Sequence, residues 1–263
     1  MATDFGEQNF LISNVVIVDG TGAESFNGAV RIAAGVIADA GELIPADGET
    51  VIDGKGQVLA PGFIDTHSHA DSEIVEQRDA FAAVSQGITT VIVGQDGESP
   101  YPLADWFKTQ QAHPAAVNIA SYAGHNTLRN KVMGDNSRRV ATPGETESMA
   151  ALLKTELDAG ALGLGTGLEY EPGIHSLPGE VISLAKIAAA EGGRYVSHVR
   201  SEDRWLHEAI DEIIEIGRVT GIPVQVSHIK LAMKSLWGTA PEMLQKLEAA
   251  RAEGIDITAD IYP

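Results

Sequence analysis

Between Phe10 and about Ala60 the chain alternates apolar and polar positions in short runs: Leu11–Val18, Ala29–Ala33, Val36–Ala38, Val51–Asp53 and Val58–Leu59, each broken by Gly or Asp. A period of two over such lengths marks half-buried strands, so residues 1–60 read as a small all-β module. Pro61-Gly62 punctuates its end. Beyond it the period changes. Ala/Leu/Glu-rich helical text is followed by a Gly suited to the left-handed position after a helix, then by a short apolar strand ending in polar residues. The unit recurs at Gly87 before Ile88–Val93, Gly160 before Leu162–Leu164, Gly193 before Tyr195–Ser197, Gly221 before Pro223–Ser227 and Gly254 before Ile255–Ala259.

Two helices carry start signals. Thr142-Pro143-Gly144-Glu145 and Thr239-Ala240-Pro241-Glu242 each set Thr three residues before Glu, the capping-box spacing, with Pro in the first turn. With Phe63–Asp65 and Val117–Ser121 added, about seven strands alternate with helices, which predicts a parallel sheet. An open doubly wound sheet would offer a Gly-rich phosphate loop after its first strand, but His67-Ser68-His69 stands there. Residues 61–263 therefore read as a (β/α) barrel of the TIM type. Such a barrel closes with an eighth strand. The text stops at Pro263, just past the seventh, so the expectation is either a fragment or an open barrel with exposed strand edges.

Composition narrows the function. With 44% hydrophobic and 21% charged residues the chain is ordinarily globular. A net charge of −19 repels polyphosphate and anionic lipid, so no nucleic-acid partner is expected. A small anionic substrate stays open, because a pocket's potential is set by the few side chains that line it. There is no cysteine, so any metal must use nitrogen and oxygen ligands. Met1 to Phe10 lacks a basic cluster and an apolar core, and no run reaches membrane-spanning length; a cytoplasmic chain without a membrane partner is the expectation.

The candidate chemistry sits at strand ends. Asp65, His67 and His69 fall at spacing two, so on an extended segment their side chains share one side, just past the apolar Phe63-Ile64. His198 closes Tyr195–Ser197 and His228 closes Pro223–Ser227. Four of the eight histidines thus lie at the carboxyl ends of three strands, which a barrel gathers around one mouth. Imidazole and carboxylate suit zinc first, with other divalent ions as substitutes. His113, His175 and His207 stand in helical or loop text without a partner at ligand spacing and read as surface or structural. His125 has two readings of equal standing, a substrate contact at the mouth or a loop cap.

At this point the text becomes familiar. Ala60-Pro61-Gly62-Phe63-Ile64-Asp65-Thr66-His67-Ser68-His69-Ala70-Asp71 resembles the opening signature of the amidohydrolase superfamily, in the form seen in D-aminoacylases, the N-acyl-D-amino-acid deacylases. Further motifs follow in the family's order: Gly124 to Arg129, Gly167 to Gly173, Ser197 to Glu202, Ser227 to Lys230 and Ala259 to Pro263. The resemblance implies a metallo-hydrolase barrel with about seven of its eight strands, preceded by part of a small β-sandwich. It implies His198 and His228 as principal metal ligands, with His67 and His69 at the same or an adjacent position, one or two zinc ions, and a small anionic substrate, an N-acyl-D-amino acid. Lys230 with Tyr262 would hold the substrate carboxylate, supported by Arg200; Tyr170 and Glu169 would form pocket wall, and His125 is carried as a further substrate contact.

Two departures stand out. Where the family has a metal-ligating Cys in a turn after the second strand, this chain reads Gly94-Gln95-Asp96-Gly97. Asp96 takes the thiolate's place, as a harder ligand able to bridge two ions or as an ordinary Asp-Gly turn residue. The family's catalytic Asp, which shuttles a proton between attacking water and leaving amine, belongs to the eighth strand; Asp260 belongs to the seventh-strand motif and is not its substitute. The expected activity is metal-dependent hydrolysis of N-acyl-D-amino acids, with a 263-residue chain expected to bind metal poorly and turn over little. The alternatives are cyclic-amide or isoaspartyl hydrolysis, disfavoured because Thr166–Tyr170 offers no Lys for a carboxylated bridge, and a catalytically dead barrel with a binding role.

Overall fold

The computed structural model describes residues 9–262; Met1–Gln8, where no leader pattern was read, and Pro263 lie outside the described residues. The boundary between two compact units falls between Gly62 and Phe63. In the first, β1 (Phe10–Ile17) is the spine. It pairs antiparallel with β2 (Phe26–Ala33), which turns back into β3 (Val36–Gly41). It also pairs parallel with β4 (Thr50–Asp53) and β5 (Val58–Leu59), completing one mixed five-stranded sheet. Val15, Ile17 and Val30 are its buried centre, with Ile12, Ile32 and Leu59 packed around them.

The second unit alternates strands and helices in the order β6 (Phe63–Asp65), α1 (Phe81–Val84), β7 (Ile88–Val93), α2 (Leu103–Ala112), β8 (Asn118–Ser121), β9 (Ala123–Gly124), α3 (His125–Met133), α4 (Pro143–Asp158), β10 (Gly163–Gly167), α5 (Pro178–Ala190), β11 (Arg194–His198), α6 (Leu206–Thr220), β12 (Val224–Val226), α7 (Ala240–Ala252) and β13 (Ile257–Ala259). Every strand pair here is parallel, β6-β7-β8 on one side and β9-β10-β11-β12-β13 on the other. β8 and β9 are one passage interrupted at Tyr122, so the two arcs form a continuous (β/α) barrel wall of seven strands.

The helices cover this wall because each brings an apolar stripe. On α6, Leu206, Ala209, Ile210, Ile213, Ile214 and Gly217 recur at helical spacing and are buried. All but Gly217 join Met149, Leu153, Leu164, Leu184, Val224, Leu247 and Ile257 in one cluster. Burial of each large aliphatic side chain there contributes about 1.5–3 kcal/mol. No helix among the described residues is long and apolar enough to cross a membrane.

Three local expectations are corrected. Gly192, not Gly193, takes the left-handed conformation after α5, at φ 72°; the helix ends one residue earlier than the text suggests. The box at Thr142 forms, with Glu145 N–H donating to Thr142 Oγ1 and Thr142 N–H donating to the Glu145 carboxylate. At Thr239 it does not, because the hydroxyl turns back to donate to the Leu236 carbonyl at 2.7 Å. Finally, β10 runs on to Gly167, past the apolar residues that announced it.

Candidate metal centre

β6 stops at Asp65, whose carboxylate accepts the His67 N–H at 3.1 Å. The segment is therefore not extended through His69, and Asp65 shapes the turn instead of sharing a side with the histidines. Past β7, Asp96 sits in a tight turn with φ 54°, between the left-handed Gly94 and Gly97. His198 is the last residue of β11, and His228 follows β12 with φ 34°. A left-handed backbone at a non-glycine residue costs of order 1–3 kcal/mol and persists only where its surroundings fix it.

These turns converge. The Asp96 carboxylate lies 3.7 Å from His67 Nε2, 3.4 Å from His69 Nε2, 3.9 Å from His198 Nδ1 and 3.6 Å from His228 Nε2. His198 Nδ1 and His228 Nε2 are 2.9 Å apart. Of three candidate ligand triads among the described residues, two share Asp96, His67–His69–Asp96 and Asp96–His198–His228, and the third is Glu169–His198–Glu202. The His198 side chain is 3% exposed and that of His69 62%, so the first triad opens outward and the second lies deep.

Three histidines are gripped from behind. His67 Nδ1 meets Asp260 at 3.1 Å, His198 Nε2 meets Glu169 at 3.1 Å, and His228 Nδ1 meets Glu202 at 2.9 Å. A carboxylate on the far nitrogen fixes ring orientation and makes the near nitrogen more basic, the arrangement that metal-ligating histidines use. Sequence reasoning passed over Glu202 and Asp260 in this role and gave Glu169 only as pocket wall. The available signal was positional: Glu202 lies four residues after His198, and Glu169 two after the end of β10.

The electrostatics match. Burial raises the Asp96 pKa, but the imidazoles of His228 and His69 beside it and the charges of His198 and His67 outweigh this and hold the carboxyl well below its usual range. Burial lowers His228, yet Asp96 and Glu202 win and push it up to about 9. Asp260 is likewise lowered: burial opposes this, while His67, the His228 N–H and Gln225 favour the anion. Asp96 Oδ1 is buried without a hydrogen-bond partner. A buried, ionised oxygen with no donor, faced by imidazole nitrogens, fits a divalent cation.

The other sequence-named residues divide. Tyr170 packs on the His198 ring at 4.3 Å between centroids, and Tyr262 lies 6.4 Å from that of His228. Lys230 Nζ contacts Glu202, lies 3.0 Å from His228 Nδ1 and stands 5.7 Å over the Tyr262 ring. A cleft of about 920 Å³ opens beside them, lined by His67, His69, His228, Asp260, Ile64 and Tyr262 among others. Arg200 is not brought to the cleft: its guanidinium is committed to Glu212 at 2.8 Å and to the Ser176 carbonyl. Nor is His125, whose side chain is wholly buried with Nε2 on Glu180 at 2.8 Å. His113 is exposed, His175 lies 3.7 Å from Glu171, and the His207 carbonyl accepts from Lys246 Nζ.

A parallel barrel that gathers four imidazoles and a carboxylate at its strand ends defines a class, the metal-binding (β/α) barrels that keep their chemistry at the carboxyl mouth. Within that class the sequence model of the amidohydrolase family matches residues 50–262, and the chain belongs to that family. It is 36% identical over 269 residues to the N-acyl-D-glutamate deacylase of Alcaligenes xylosoxydans xylosoxydans, an alignment covering 94% of this chain and 55% of the relative. The D-aminoacylase of the same organism is 34% identical, with 97% and 57% covered. The crystal structure of N-acyl-D-glutamate deacylase from Bordetella bronchiseptica, complexed with zinc and a phosphonate mimic of the tetrahedral intermediate, superposes with a TM-score of 0.93 at 35% identity, covering 98% of this chain and 59% of that one. The chain spans a little over half the length of these relatives.

Proposed function

We propose that these residues form the metal-binding part of an enzyme that hydrolyses the amide bond of N-acyl-D-amino acids, giving a carboxylate and a free D-amino acid, with zinc as the first candidate ion. The observation that carries this reading is the ring of imidazoles around Asp96, three of them backed by their own carboxylate. Asp96, His198 and His228 would hold one ion, and His67 and His69 would hold a second alongside Asp96. A divalent metal so bound lowers the pKa of water towards neutrality and polarises a carbonyl oxygen, which is what amide hydrolysis requires.

The protein's own groups would do the rest. Tyr262, which lines the cleft, and Lys230 behind its ring would receive the substrate carboxylate, the cation drawn from Glu202 towards the incoming anion. The Tyr170 ring over His198 would wall the acyl side and keep bulk water from it. A local positive group inside a chain of net charge −19 gives an anionic small molecule a place to bind that the surface as a whole denies it.

The test is release of free amine by the complete protein, zinc-loaded, from N-acetyl-D-glutamate and N-acetyl-D-methionine, with their L forms and dihydroorotate alongside. Zinc-dependent release from the D substrates alone is the expected result. Opening of the cyclic amide without any D-deacylation would replace this reading with the cyclic-amide one; no turnover of any of them despite bound zinc would favour a binding role.

A further inference from the structure

The segment Gly124-His125-Asn126-Thr127-Leu128-Arg129 stands out in the sequence, yet none of its side chains lines the cleft. It reaches instead to the turn that carries Asp96. The Thr127 N–H donates to the Gly97 carbonyl at 3.2 Å, and the Ser99 N–H donates to Thr127 Oγ1 at 3.0 Å. Thr127 Oγ1 in turn donates to Glu98 at 3.2 Å, and the Gly124 N–H donates to Ser99 Oγ at 3.0 Å. The backbones also touch where only glycine allows it. A Cβ on Gly124 would lie 2.3 Å from the Gly97 carbonyl oxygen, and one on Gly167 would lie 2.1 Å from that of Asp96. From the far side His125 Nε2 and Arg129 Nη1 both hold Glu180 of α5, so the turn of helix pressing on the Asp96 loop is itself anchored.

We propose that the first turn of α3, together with Gly167 of β10, is a clamp that fixes the left-handed Asp96 in its ligand position, making Thr127 and Gly167 positioning residues for metal binding. This rests on the reading of Asp96 as a ligand. The clamp works by geometry: every polar group in the 97–99 loop that Thr127 satisfies is one that would otherwise let the turn relax, and Gly167 lets β10 press directly on the Asp96 peptide. Removal of a group that hydrogen-bonds a ligand directly lowers metal affinity by about 10- to 100-fold, and Thr127, which holds the ligand's loop and not its carboxylate, acts at the lower end of that range.

The experiment titrates the full chain with zinc against a chromophoric chelator and records the visible spectrum of the cobalt form. Thr127→Val is expected to weaken zinc binding by about 10-fold and to shift the cobalt bands. Thr127→Ser, which keeps the hydroxyl, restores both. Gly167→Ala follows Thr127→Val; should it fail to fold, Thr127→Val decides alone. Gly144→Ala, whose added methyl meets nothing within 4 Å, leaves affinity and spectrum unchanged. Zinc affinity in Thr127→Val within about twofold of the parent, or an equal loss in Thr127→Ser, overturns the clamp. Asp96→Ala separates the two levels: full zinc retention there removes the ligand reading and the clamp with it, whereas zinc loss there with normal binding in Thr127→Val removes the clamp alone.

Discussion

Replacing Glu180 by Gln removes the counter-charge of the Arg129 guanidinium, which has no other among the described residues. Both oxygens of Glu180 accept from Arg129 Nη1, at 2.5 and 2.7 Å, and Oε1 also meets His125 Nε2 at 2.8 Å. The Arg129 and His125 side chains are fully buried and that of Glu180 is 5% exposed. After the change Arg129 keeps only neutral acceptors, the carbonyls of Ser137 and Arg139 and the oxygen of the side-chain amide, and its Nε already lacks a partner among the described residues. Breaking a buried ion pair by removing one member costs about 3–5 kcal/mol, because the surviving charge is left uncompensated and cannot reach water. Against a typical domain stability of roughly 5–15 kcal/mol this is a large fraction. With a urea slope of about 2 kcal/mol/M the midpoint should fall by about 1.5–2.5 M. Tryptophan fluorescence reports it, since Trp106, Trp205 and Trp237 all lie in the barrel unit. Lys154→Met, which breaks half-exposed pairs to Asp158 and Glu191, should leave the midpoint where it is. A Glu180→Gln midpoint no lower than that of Lys154→Met would refute the argument.

The same cluster sets a pH dependence. Burial holds the His125 pKa below 6.5, and His125 and Arg129 hold that of Glu180 below 4.5 against its own burial, so the folded state binds fewer protons than the unfolded one. Stability is then complete above about pH 6.5 and declines on acidification, first through His125 and below about pH 4.5 through Glu180 as each folded pKa is approached; urea midpoints from pH 7.5 to 4 should fall further in the parent than in His125→Asn. Zinc added to chelator-treated protein should raise the melting temperature, since a ligand at about 1,000 times its Kd stabilises by about 4 kcal/mol, and Asp96→Ala should abolish the rise in a calorimetric scan. Leu184→Ala, wholly buried between helix and sheet, should cost about 2–5 kcal/mol in urea unfolding without altering zinc affinity. Lys230→Met should raise KM for N-acetyl-D-glutamate at least tenfold, by loss of a charge-assisted contact worth about 1.5–3 kcal/mol; an unchanged KM would place the substrate carboxylate elsewhere.

Much of this architecture is written in local pattern. The seven barrel strands follow from short apolar runs, and their cores match: Tyr195–Ser197 lies inside β11, and Ile88–Val93 coincides with β7. That His67, His69, His198 and His228 would meet follows from strand-end address alone, because parallel strands in a barrel share one mouth. What the text hides is which partner a polar side chain chooses. Thr239 and Thr142 have the same spacing to Glu, yet only Thr142 caps, since the Leu236 carbonyl competes for the other hydroxyl. His125 and Arg200 look like cleft residues by motif but are claimed by Glu180 and Glu212, contacts 55 and 12 residues away in sequence. Asp260 shows the converse, a residue set aside in the sequence that holds His67 across 193 positions.

The two ligand triads share a corner. Because Asp96 belongs to both candidate triads, a substitution there reaches the inner and the outer position together, whereas a change at His69 or at His198 reaches one of them alone.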